Sequence, residues 1–128
     1  MTVTTKKRPK NLDLTTIKLP VPGVVSILHR ISGALLFLVG IPLLLIYLQS
    51  VSGTSLDYQQ VSFLYNNPIV KLIALVMLWS FLHHFCAGIR YLLLDLHIGI
   101  ELSGARLSSQ IVLAISLFLT VLIGVKLW

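Results

Sequence analysis

Trp79-Ser80-Phe81-Leu82-His83-His84-Phe85-Cys86-Ala87-Gly88-Ile89-Arg90-Tyr91-Leu92-Leu93-Leu94-Asp95 is the stretch that decides how this chain is read. Its composition is that of the latter half of a membrane-spanning helix, yet it holds two adjacent histidines, an arginine and an aspartate. Ionisable groups at membrane depth are costly, and they face a bundle interior, a water-filled cavity or a bound group. At helical spacing Ser80, His84, Ala87, Gly88, Tyr91 and Asp95 fall on one face, since residues three or four apart are neighbours. That face is small or polar, whereas the opposite side is Leu, Ile and Phe. A histidine ringed by Ala and Gly leaves room for a flat, bulky group, and haem is the candidate that fits.

The rest of the composition agrees with a membrane setting. The chain has 128 residues, 56% of them hydrophobic and 11% charged, with a mean hydropathy of +0.94. Soluble domains carry roughly 25% charged residues, so this chain is expected to be an integral membrane protein: all-α, one small bundle over residues 1–128, with no second domain. The net charge of +6 does not point to nucleic acid, because Lys6, Lys7, Arg8, Lys10 and Lys18 crowd into the first 18 residues. Basic residues flanking a span mark a cytoplasmic side. One cysteine, Cys86, excludes an internal disulfide and any CxxC site. The first apolar run is too long and starts too late for a signal peptide, and the short tail, with Asp13 and little Arg or Ser, is unlike a transit peptide. The expected setting is the bacterial cytoplasmic (inner) membrane.

Residues 1–22 read as a cytoplasmic tail closed by Pro20 and Pro22, which with Gly23 are expected to keep a helix from starting earlier. A first span is expected at about 24–50, bent at Pro42. Residues 51–67 contain no Lys or Arg and so belong on the outer side, where Tyr58 and Tyr65 suit the interface. A second span is expected at about 68–94, opened by Pro68, a good first helical residue. Residues 95–108 form a loop, and a third span follows at about 107–127. The N-terminus is then cytoplasmic and the C-terminus periplasmic, with Lys126 and Trp128 at the outer interface.

His83 and His84 cannot point at one centre, being about 100° apart on a helix. His84 owns the Ser80/Gly88/Tyr91 face; His83 sides with Trp79, Ala87 and Arg90. His84 is therefore the expected axial ligand to haem iron, and His97 a solvated loop residue. On the first span Ser26, Arg30, Gly33, Phe37 and Gly40 share a face, with His29 beside it. Arg30 is close enough to the boundary to snorkel. Its neighbours His29 and Ser26, and the small residues following on its face, point instead to a helix contact. Arg30 and Arg90 together form an expected cationic cluster for haem propionates or an acidic head group, or else a structural pair with Asp95. An intrachain ligand pair, His29 with His84, is disfavoured by depth, His29 being nearer the surface.

Three motifs in order, Arg8-Pro9-Lys10-Asn11-Leu12-Asp13-Leu14, then Ser26-Ile27-Leu28-His29-Arg30-Ile31-Ser32-Gly33, then His84-x-x-x-Gly88-Ile89-Arg90 with Asp95 five on, resemble the cytochrome b556 membrane-anchor subunits of succinate dehydrogenase. The resemblance covers essentially the whole chain. It implies half of a heterodimeric haem-binding bundle, with His84 as axial ligand to haem b and a second axial histidine from a partner membrane-anchor subunit. It implies Ser26 and Arg30 at a ubiquinone site, and His29 and Arg30 close to the haem propionates. It also implies an iron–sulfur subunit and a flavoprotein subunit as partners, since this chain has no flavin or nucleotide motif. Where many members have a histidine after Gly-Ile-Arg, this chain has Tyr91, so no propionate or proton role of that histidine carries over. The nearest rival is the anchor of a quinol:fumarate reductase. A transporter or haem-free scaffold is the rival from another class, and a transporter would show pseudo-repeats or a midplane acid, neither of which is present.

Overall fold

The computed structural model describes residues 18–53, 59, 62–63 and 66–127, the side chain of Leu127 excepted. The basic residues Lys6, Lys7, Arg8 and Lys10, the first motif, Tyr58, Tyr65 and Trp128 lie outside the described residues. Every regular element among those described is helical: α1 (Val21–Leu35), a π-helical turn (Leu36–Gly40), α2 (Ile41–Ser52), α3 (Pro68–Asp95) and α4 (Leu102–Leu127). The first three run on without a break, so three helices are long and apolar enough to cross a membrane: Val21–Ser52, Pro68–Asp95 and Leu102–Lys126. The 28 residues of α3 span about 42 Å at 1.5 Å per residue, against a hydrocarbon core of about 30 Å.

The first helix starts earlier than its prolines lead one to expect. Pro20 is its N-cap residue, in extended conformation, and Pro22 falls in the first turn, where a missing N–H removes no intrahelical bond. The bend expected at Pro42 takes the form of the π turn just before it. Pro42 cannot donate to the carbonyl of residue 38 and its ring crowds that carbonyl. The helix widens instead, and the Ile41 N–H reaches back to the carbonyl of Leu36. Beyond this turn the α2 backbone stands apart from α3 and α4, and residues 41–49 are all exposed.

Asn67 starts α3 by accepting a hydrogen bond from the Ile69 N–H at 2.9 Å. Its end is a Schellman motif: the Ile98 N–H bonds the Leu93 carbonyl at 3.0 Å and the His97 N–H bonds that of Leu94 at 2.9 Å. His97, exposed as expected of a loop residue, occupies the left-handed position of this cap with φ 62°. The turn is short, because α4 begins at Leu102, five residues ahead of the expected 107. Glu101 stays in the turn, whereas Gly104 and Arg106 look like loop residues by polarity but are helical; a helix continues past the hydrocarbon edge at no cost once water meets its polar side. Gly104 packs on the turn so closely that a Cβ there would lie 3.2 Å from the Gly99 carbonyl oxygen.

α3 is the central helix, packed against both α1 and α4, while α1 also touches α4. Its contact with α4 follows a stripe of small or hydroxyl residues on α4: Ser109, Ser116 and Thr120 are buried with Val112, and at Gly124 a Cβ would stand 2.7 Å from Leu75 Cδ1. Without a hydrophobic driving force in lipid, such close backbone approach and interhelical hydrogen bonds hold spans together. Replacing His97 by glycine removes the left-handed penalty of roughly 1 kcal/mol. The H97G variant should therefore raise the melting temperature of the detergent-solubilised protein, and an unchanged or lower value would count against the cap.

Candidate functional site

The paired histidines of α3 divide between its two neighbours. His83 is fully buried against α4, its Nδ1 3.4 Å from Ser116 Oγ and its ring stacked on Trp79 at 5.2 Å. The Ser116 hydroxyl donates to its own helix at Leu113, so its oxygen accepts from the imidazole. Arg90, one and a half to two turns on, is also buried and also turned to α4. Its Nε donates to Ser108 Oγ at 2.9 Å and its Nη2 to the Ala105 carbonyl at 3.3 Å.

His84 turns the other way, onto α1. Its ring stacks on His29 with centroids 4.2 Å apart and planes 9° from parallel. Its Nδ1 lies 3.0 Å from the His29 backbone carbonyl. A carbonyl can only accept, so Nδ1 carries the proton and Nε2 keeps the lone pair. Ser32 supports this arrangement: its hydroxyl donates to the same carbonyl at 2.9 Å, leaving its oxygen 3.3 Å from Nδ1. Gly33 makes the approach possible. Side chains on a helix lean toward its N-terminus, so a side chain at position 33 would cover the carbonyl of residue 29. A Cβ there would stand 2.8 Å from His84 Cε1.

Gly33 lies at a helix contact, as expected: the space it leaves is filled by the His84 imidazole. The face of Gly88, expected to leave room for a flat group, is met by His29 Nε2, 3.9 Å from where a Cβ would be. Within this chain these small residues admit histidines. The depth argument is corrected, since the stacked rings put His29 and His84 at one level. An intrachain ligand pair is nevertheless excluded in this arrangement, because rings in face-to-face contact cannot aim two lone pairs at an atom between them.

The two arginines do not form one cluster. Arg90 is bound into α4, whereas Arg30 is exposed on α1 with no hydrogen-bonding partner among the described residues. Neither pairs with Asp95, which is exposed. Ser26 is half-buried one turn before Arg30. Tyr91 sits against His29, ring centroids 5.1 Å apart, and its hydroxyl is buried without a partner among the described residues. Ser32, Ser108 and Ser116 were not singled out by sequence; their signal is position, each falling on the helix face that meets a cationic or imidazole side chain.

As a place for metal, the site offers one strong donor. Among the described residues no three His, Cys, Asp or Glu side chains converge, so no all-protein cage of the zinc type exists there. A single imidazole whose remote nitrogen is tied to a backbone carbonyl is how a ligating histidine is oriented and made more basic. That donor set fits an iron whose in-plane ligands come from a macrocycle, and so the His84 geometry fits haem.

The model of the succinate dehydrogenase/fumarate reductase transmembrane subunit family matches residues 4–123. The succinate dehydrogenase cytochrome b556 subunit of Coxiella burnetii is 37% identical over 95% of this chain and 98% of the relative. That of Rickettsia felis is 30% identical over 93% and 92%, and that of Paracoccus denitrificans 30% over 90% and 88%. With that match over residues 4–123, this chain of three membrane-length helices belongs to the succinate dehydrogenase/fumarate reductase transmembrane subunit family.

Proposed function

We propose that this chain is the haem b-binding membrane-anchor subunit of a succinate:ubiquinone oxidoreductase, seated in the bacterial cytoplasmic membrane with its N-terminus inside and its C-terminus in the periplasm. The observation that carries the reading is the His84 Nδ1–H bond to the His29 carbonyl, which holds Nε2 ready for iron. The names of the relatives, cytochrome b556 subunits of succinate dehydrogenase, support haem b and favour succinate oxidation over the fumarate reductase alternative. The second axial histidine comes from a partner anchor subunit, so this chain forms half of a heterodimeric bundle. An iron–sulfur subunit and a flavoprotein subunit complete the enzyme, because this chain has no means of oxidising succinate alone.

Haem b, when bound, would supply a one-electron store, its potential tuned by axial ligand, burial and nearby charge. His84 holds the iron, and the His29 carbonyl with Ser32 fixes its ring. Arg30 and Ser26 serve the ubiquinone site. The exposed guanidinium of Arg30 stabilises negative charge developing on a quinone oxygen, an oxyanion-hole role, and Ser26 donates a hydrogen bond. His29 and Arg30 lie beside the haem propionates in this reading.

Four substitutions test these assignments. His84→Ala should abolish the low-spin b-type visible spectrum of the purified complex; an unchanged spectrum refutes the ligand. Gly33→Ala should lower haem content severalfold by pushing the His84 ring off its carbonyl, whereas Gly88→Ala, whose methyl meets only ordinary contact, should retain it. Equal haem in both would break the link between Gly33 and the ring. Arg30→Ala should cut quinone reduction by about 10²-fold or more while succinate oxidation with a soluble dye persists. Equal loss of both activities would instead point to assembly.

A further inference from the structure

A groove of about 380 Å³ opens between α3 and α4 at the end of the bundle that carries their connecting turn. It lies on surface that the histidine site does not use. Cys86, Ile89, Ile111 and Ile115 form apolar walls, and Arg90 with Ser108 stands among them. Arg90 is the charged residue of the lining, and it is only 5% exposed. Its hydrogen bonds go to neutral groups, a hydroxyl and a carbonyl. Asp95 and Glu101, the nearest acids in sequence, are exposed and do not line the groove. A guanidinium so placed is hydrogen-bonded but its charge is not neutralised.

Depth narrows what would neutralise it. Arg90 stands five residues before the end of α3, about 7 Å along the axis. A helix of about 42 Å centred on a core of about 30 Å overhangs by about 6 Å at each end. Arg90 is thus at the hydrocarbon boundary, and its guanidinium, bonded to the Ala105 carbonyl near the start of α4, extends toward the head-group layer just outside it. From there the apolar walls run along α4 to Ile115, seven residues beyond Ser108, or about 10 Å toward the midplane. A charged mouth at the edge of the head-group layer leading into an apolar trough matches the two parts of one lipid. Basic pockets between spans bind anionic head groups.

We propose that this groove binds one anionic phospholipid of the adjacent leaflet, its phosphate on Arg90 and Ser108 and an acyl chain along the Ile89, Ile111 and Ile115 walls. The proposal rests on the membrane setting and not on the haem reading. Cys86 lines the groove and is the chain's one cysteine, so it serves as a native reporter. The whole complex, extracted and placed in nanodiscs of phosphatidylcholine with or without phosphatidylglycerol, is treated with N-ethylmaleimide, and Cys86 alkylation is read by peptide mass. Phosphatidylglycerol should slow alkylation severalfold, and native mass spectrometry should find it retained. Arg90→Gln should weaken retention about fivefold. Ile111→Phe, which fills the trough and leaves the Arg90 hydrogen bonds intact, should abolish it. Three results would each overturn the proposal: equal protection by phosphatidylcholine, a Cys86 unreactive in both lipids because protein covers the groove, or full retention in Ile111→Phe. Haem spectra of the same samples keep a failure here distinct from a failure of the ligand assignment.

Discussion

The bond from the His84 imidazole to the His29 carbonyl is the constraint on which the bundle's organisation depends. In hydrocarbon there is no water to satisfy a stray N–H, so an acceptor inside the protein is worth more there than in a soluble domain. A helix carbonyl has a second lone pair, but ordinarily the side chain four residues on shields it. Gly33 removes that shield, Ser32 adds a second hydroxyl donor to the same oxygen, and the α1 backbone becomes a receptor for a side chain of α3. The Ala105 carbonyl repeats the device on the other side of α3, taking the Ser108 and Ser109 hydroxyls together with Arg90. Both neighbours of the central helix are therefore held by a backbone oxygen that collects several donors.

Much of this was legible in the residues. Three apolar runs announced three spans, and the 100° step between His83 and His84 put them on different faces of α3. The grouping of His83 with Trp79, Ala87 and Arg90 is the face that meets α4. What periodicity could not supply was azimuth between helices. It placed Arg30 and Arg90 at one end of the bundle and joined them into a cluster, although α3 turns Arg90 toward α4 and α1 leaves Arg30 on its outer surface. Polarity misplaced the start of α4, because solvated helix and loop share a composition. Gly33 was read as part of a helix contact, and it is one, but nothing in the periodicity told that its occupant is the His84 ring.

Ser116 and Thr120 show the same limit from another direction. Judged by strength of polarity they are unremarked in an apolar run, yet each is buried, and Ser116 meets the ring of a histidine that would otherwise lie unpaired on that side. In lipid a hydroxyl is significant for where it stands on the helix and not for how hydrophilic it is, since its own i−3 or i−4 carbonyl always offers it an acceptor. Its oxygen remains available to whatever donor the neighbouring span presents.

The π turn at Leu36–Gly40 divides the first span into halves with different obligations. Before it, α1 is keyed to α3 through a glycine, a serine and a histidine; after it, the α2 backbone stands apart from the other described helices. Substitutions before the turn are thus judged by shape, to within a methyl group, while the leucines and isoleucines exposed on residues 41–48 are judged chiefly by their fit to oil. One continuous helix is in this sense written in two grammars, and the freedom to drift in sequence should change abruptly at Gly40.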